Sequence, residues 1–338
     1  MFVLPFLLFG MMAKATEVGT VLDFPAKLTE DWAPSEAAAT TIAPTLGPNA
    51  WLRFDLLWHE VHWNPKGTAD YARLDKLVGI CQTNGLRPMM QVTPLPWPGS
   101  SWLEGNLPWG VLRDQDIPAI AVRYAEDITA FRDILRRRGM PEENAAVQFG
   151  NEPASGHPGG DSRLPPGTWR GANLWAAMGA NTNYGRLRVI GPALSMQDHP
   201  PEMAEVERAS AVVNAREWSA PVKNLALHHR VYAPALSGAA YGDEYIRQLT
   251  ARVALVRSLD WGAAKNRAVA VTEGYVAPGD AGGDRASALA AVGARLKEGV
   301  PNLDIYLFYK WFPKGNFDGI AWGLTEADRA ALKAVFNP

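Results

Sequence analysis

The chain is short of cysteine, of net charge and of long apolar runs, and each shortage removes a class of answer. One cysteine, Cys81, stands among 338 residues, so no disulfide can close within the chain. Cys81 lies in an apolar stripe of helical spacing with no basic residue beside it, which makes it a core residue and not a reactive thiol. Lysine and arginine number 33 against 35 acidic residues, and a net charge of −2 draws the chain to neither nucleic acid nor an anionic membrane surface. The first dozen residues are the longest apolar run, too short to span a bilayer as a helix. They lack a basic start but run into Ala13-Lys14-Ala15, so residues 1–15 read as a signal peptide and the mature protein as periplasmic or secreted. No glycine-rich nucleotide or phosphate loop follows an early strand, and no cofactor is expected.

What is present is a large apolar fraction, 47%, in segments that alternate between strand and helix. Strands are expected at 18–24, 51–57, 87–93, around Val147, at 188–193, 224–232, 268–272 and 304–311. Between them fall helical patterns, among them Ser35–Ile42 with Ser35 as N-cap, and a stripe of Tyr71, Leu74, Leu77, Val78 and Cys81. That stripe closes at Asn84-Gly85, a C-cap pair. Further helices are expected at 117–138, 174–185, 201–216, 241–259, 286–298 and from Thr325. Eight strands alternating with eight helices in one chain make a single-domain (β/α)8 TIM barrel over residues 16–338.

Two strands end in a carboxylate. Ala146, Val147 and Phe149 lead into Gly150-Asn151-Glu152-Pro153, where the proline stops the sheet ladder. The apolar run from Ala268 leads into Thr272-Glu273-Gly274. In a parallel barrel the chemistry sits at the C-terminal ends of strands, and strands four and seven lie about three steps apart around the ring. Glu152 and Glu273 can therefore face each other across the mouth. Two opposed carboxyls suit glycoside hydrolysis, one staying protonated to serve the leaving oxygen and the other staying ionised. Arg53, near the end of strand two, can hold a carboxylate ionised, or pair with Asp55 on the same face.

Asn151-Glu152-Pro153, Thr272-Glu273-Gly274 and Arg53 on their strands resemble the clan A glycoside hydrolases across essentially the whole barrel. Trp51-Leu-Arg-Phe-Asp-Leu-Leu-Trp58 and Thr93-Pro-Leu-Pro-Trp97 are most similar to family 39 and its bacterial exopolysaccharide-hydrolase relatives. The resemblance implies Glu152 as acid/base, Glu273 as nucleophile, Asn151 on the substrate 2-hydroxyl and Trp311 under the sugar at the cleavage point. The chain departs from the pattern on strand six, where His-x-Tyr is replaced by His228-His229-Arg230-Val231-Tyr232. Adjacent strand residues point to opposite faces, so at most one histidine enters the lumen; which one, and whether Tyr232 reaches Glu273, stays open. With no clustered carboxylates or further histidines beside them, a metal site is not expected.

Trp58, Trp63, Trp97, Trp102, Trp109, Trp169 and Trp175 fall in or near loops after strands two to four, and Trp311 and Trp322 follow strand eight. Flat aromatic faces stack on pyranose rings, although four or five of these nine are expected in the core. The loops at 94–116 and 153–173 would wall a cleft. The expectation is a retaining β-glycosidase, endo-acting on a polysaccharide or oligosaccharide. A carbohydrate-binding protein with idle chemistry is the alternative.

Overall fold

A computed structural model describes residues 15–62, 68–92, 117–149, 177–180, 182–196, 219–311 and 323–338. Eight parallel strands close into a barrel in sequence order: β1 (Glu17–Val21), β2 (Trp51–Leu56), β3 (Arg87–Val92), β4 (Ala146–Phe149), β5 (Arg188–Met196), β6 (Asn224–Arg230), β7 (Ala268–Tyr275) and β8 (Leu303–Phe308). β1 pairs with both β2 and β8, so the sheet has no edge. The described helices are α1 (Ala33–Thr40), α2 (Ile42–Leu46), α3 (Trp58–Val61), α4 (Ala72–Thr83), α5 (Ile117–Arg137), α6 (Gly238–Ser258), α7 (Arg285–Glu298) and α8 (Glu326–Phe336).

Two separate apolar cores follow from strand alternation. The inner one fills the barrel with Val21, Trp51, Met89, Ala146, Ile190, Ala193, Ala226, Ala270, Ile305 and Leu307. Its residues are small on β4, β6 and β7, and Trp51 fills the space below. Gly19 is required there, because a Cβ would stand 2.3 Å from the Trp51 carbonyl oxygen. The outer core lies between strands and helices. Leu74, Leu77, Val78 and Cys81 of α4 and Ile120, Tyr124, Ile128, Phe131 and Leu135 of α5 enter it, as their helical spacing requires. Burial also drives the Cys81 thiol's pKa well up, which makes it inert.

Local signals set the helix ends, with one correction. α4 ends at Asn84, followed by Gly85 at φ +64°, the left-handed turn its sequence announces. Thr325 opens α8 with a capping box closed by Asp328. Ser35, by contrast, is not the N-cap of α1. Pro34, with its fixed φ, starts the helix a turn earlier, and the Ser35 hydroxyl donates instead to the Asp23 carbonyl at 3.0 Å. The helix expected at 201–216 lies outside the described residues; of that expected at 174–185, residues 177–180 are helical and 182–185 are not.

Candidate active site

At the C-terminal rim, β6 and β7 bring polar side chains into the lumen by a slip in register. Leu227 pairs with Val271, but His228 pairs with Glu273, one residue late. Ala226 belongs to the inner core, so His228 shares its face; the bulge then turns Glu273, and not Thr272, the same way. Gly274 follows by necessity, since a Cβ there would meet the Tyr306 ring at 2.2 Å.

Glu273 is almost fully buried and both its oxygens are engaged. Arg53 Nη1 donates to Oε1 at 2.6 Å and to the Thr272 carbonyl at 3.1 Å. The Tyr275 hydroxyl donates to Oε2. His228 Nδ1 stands 3.7 Å from the same oxygen, and the ring is wholly buried. Burial of the Arg53 guanidinium works against its charge, yet Glu273 and then Asp55 outweigh it, so its pKa lies above the ordinary value. The carboxylate is thus presented beside a fixed cation at the mouth of a closed barrel. Tyr309 completes this wall: its ring centroid lies 4.6 Å from that of Tyr275, and its N–H donates to the Gly274 carbonyl at 2.9 Å.

The site expected from sequence divides into three groups. Arg53, Glu273 and His228 come together. Glu152, Asn151 and Trp97 lie outside the described residues, in the segments that follow β3 and β4 in the sequence. His229, Tyr232 and Trp311 stand elsewhere. His229 faces the helices, where Arg252 Nη1 lies 2.9 Å from its Nδ1 and Tyr245 meets its ring edge-on. Burial, and then the Arg252 charge, press its pKa far below the usual value, so it stays neutral. Tyr232 lies past β6 and is 61% exposed, while Tyr275 holds the Glu273 oxygen.

Trp311 is corrected from sugar platform to core residue. β8 ends at Phe308, and the indole beyond it is 0% exposed within the outer core, with Nε1 donating to Thr41 Oγ1 at 2.9 Å. An indole with no free face cannot stack on a ring. The aromatic on the lumen side is Tyr309, which packs against the inner core and follows Leu307 by two residues. Trp58 is also core, its Nε1 donating to the buried Asp127 at 3.1 Å. The other seven tryptophans named above lie outside the described residues. Tyr275 and Tyr309 went unread in the sequence; alternation from the lumen-facing Leu307 could have found Tyr309, whereas Tyr275 follows Glu273, which the slip turns inward. Among the described residues, no group of three or more His, Cys, Asp or Glu side chains is arranged to hold a metal ion. No helix among them is long and apolar enough to cross a membrane.

No family model matches the sequence, and no curated protein matches it. Solved structures do. GH5_18 from Streptomyces cattleya, in complex with GlcNAc, gives a TM-score of 0.63 at 17% identity, over 96% of this chain and 79% of that one. What they share is the barrel. An exo-beta-1,4-mannosidase from Opitutaceae bacterium strain TAV5 gives 0.61 at 15% identity, over 96% of this chain and 59% of that one. A GH30 endoxylanase from Clostridium papyrosolvens C71 gives 0.55 at 13%, over 96% and 72%. Families 5 and 30 thus stand among the structural neighbours, at identities that speak for the fold alone.

Proposed function

We propose that this chain is a retaining β-glycosidase of the clan A type, with Glu273 as nucleophile and Glu152 as acid/base. The observation that carries the reading is the pair of donors on Glu273. A carboxylate that accepts from both Arg53 and Tyr275 is fixed in direction, as attack on an anomeric carbon requires. In the first step a Glu273 oxygen bonds to that carbon while Glu152 gives its proton to the departing oxygen. In the second, Glu152 takes a proton from water, whose oxygen attacks the same carbon and releases Glu273. Asn151 would hold the 2-hydroxyl, and His228 borders the carboxylate from β6. The lumen-side Tyr309, in place of Trp311, supplies the aromatic surface beneath the sugar.

The finer parts of the reading rest on sequence. The likeness of residues 51–58 and 93–97 to family 39 supports the closer kinship. Trp97 and the long loops after β3 and β4 support an endo-acting enzyme on a polysaccharide. The apolar start of the chain supports export, with residues 1–15 removed. A binding protein with idle chemistry would have no use for a Glu273 oriented by two donors.

Azide separates the two carboxylates by role. With an activated aryl glycoside, Glu152→Ala should form the glycosyl-enzyme and stall; added azide, which needs no base, should restore turnover with retained configuration. Glu273→Ala should form no intermediate, and azide in the vacated space should give the inverted product. The same configuration from both variants, or the opposite pairing, would refute the assignment.

A further inference from the structure

In a ring of eight strands, β8 lies opposite β4. If Glu152, beyond β4, serves the leaving oxygen, the part of the sugar that stays on the enzyme extends towards β8, β1 beside it and β2 next to β1. The side chains gathered there share one character. Asp23, two residues after the inner-core Val21, is ion-paired with Lys310 Nζ, and Asp55 stands 3.9 Å from Arg53 on β2. The Tyr309 ring lies among Glu273, Asp23, Arg53 and Asp55, and burial together with these carboxylates holds its hydroxyl protonated by raising its pKa.

The cations of this group are withdrawn and the anions are not. Lys310 and Arg53 are each 2% exposed; Arg73, 8% exposed, donates to the Pro25 and Asp55 carbonyls. The Asp23 and Asp55 side chains are 35% and 50% exposed. A molecule entering here meets acceptor oxygens and an aromatic face, while the matching positive charge stays behind them. One more group asks for a polar occupant. Gln148 shares the lumen face with Ala146 and is joined to Asp55 through the direct register Asp55–Gln91–Gln148. Its amide is wholly buried, and neither its oxygen nor its nitrogen has a hydrogen-bond partner among the described residues.

We propose that Asp23, oriented by Lys310, and Asp55 determine specificity on the glycon side, where they select a neutral, hydroxyl-bearing sugar and reject its uronate. Hydroxyls supply the donors that carboxylates require, in pairs where two neighbouring hydroxyls are free. A sugar carboxylate would instead face two others in a partly desolvated groove, and like charges in such a setting weigh heavily against binding. This deepens the glycosidase reading and rests on it for the direction of the bound sugar.

Calorimetric titration of the full chain tests it without relying on turnover. The probes are matched trisaccharides: β-1,4-mannotriose against β-1,4-trimannuronate, and cellotriose against β-1,4-triglucuronate. At least one neutral trisaccharide should bind, with its uronate partner weaker by about 100-fold or more, as for juxtaposed like charges. In Asp55→Asn and in Asp23→Asn that gap should narrow about tenfold. The gap is a ratio within one preparation, so a partly unfolded variant does not distort it. Uronates that bind as tightly as neutral sugars, a gap unchanged in both variants, or no binding of either kind would overturn the assignment. Glycoside hydrolysis measured beside it keeps the two readings apart: a chain that cleaves neutral glycosides but fails this titration remains a glycosidase with its specificity set elsewhere.

Discussion

The two ends of the barrel are both built from arginine and carboxylate, but on different plans. At the N-terminal end Glu17 Oε2 accepts from Trp51 Nε1, Arg87 Nη1 and Arg188 Nη1 at 2.9, 3.0 and 3.1 Å. Arg188 also donates to Asn224 and Asp304, and Asn224 to Asp304, so side chains from six strands close into one network beneath the indole of Trp51. The Arg87 guanidinium lies 4.9 Å from that ring. At the C-terminal end the donors also converge, on Glu273 from Arg53 and Tyr275, but Asp23 and Asp55 keep accessible oxygens. One cluster saturates itself and locks six strands together. The other holds Glu273 between two donors and leaves Asp23 and Asp55 partly exposed. In parallel barrels the first arrangement belongs to stability and the second to chemistry.

Paired substitutions of the two arginines should pull the ends apart most strongly. Arg53→Met should lower kcat/KM by about 10²–10³-fold, the scale of losing one fixed charge aimed at the reacting group. Arg188→Met should instead lower stability by about 2 kcal/mol, since Glu17, Asp304 and Asn224 lose donors together. Its effect on kcat/KM of the folded protein should stay within about twofold, as for a residue far from the chemistry. Denaturant midpoints and initial rates on one aryl glycoside read both; equal losses of activity in the two variants would erase the distinction.

A smaller effect sharpens the comparison within the upper cluster. Tyr275→Phe removes one of two donors on Glu273 and should lower kcat about 10- to 100-fold, the range for a hydrogen bond to a charged group. KM should change far less, and thermal stability by less than about 1 kcal/mol, because the ring remains to pack on Tyr309. A loss confined to KM would make Tyr275 a binding residue.

Most of the barrel was legible because its signals are local. Alternation marked the strands, helical stripes marked α4 and α5, and Arg53 and Glu273 stood out as charges at strand ends. What failed to show depends on geometry that no short window carries. The one-residue slip between Leu227–Val271 and His228–Glu273 decides which side chains enter the lumen, and nothing in either strand announces it. The choice between His228 and His229 stayed open because alternation sends the two to opposite faces without saying which face is the lumen. Trp311 misled because strand β8 was drawn three residues too long; ending it at Phe308 leaves Tyr309 on the lumen side and turns the tryptophan into the outer core. The lower network joins residues from 17 to 304, and only closure of the barrel brings them together.

Glu273 is the group proposed to bond to sugar, and one measurement reads that bond. A 2-deoxy-2-fluoro glycoside with an activated leaving group slows the second step more than the first, so the glycosyl-enzyme accumulates. Peptide mass spectrometry of the inactivated full chain should then find a single sugar-sized mass increase on Glu273. Attachment to another carboxylate, or rapid turnover of an accepted glycoside with no peptide labelled and products of inverted configuration, would contradict it.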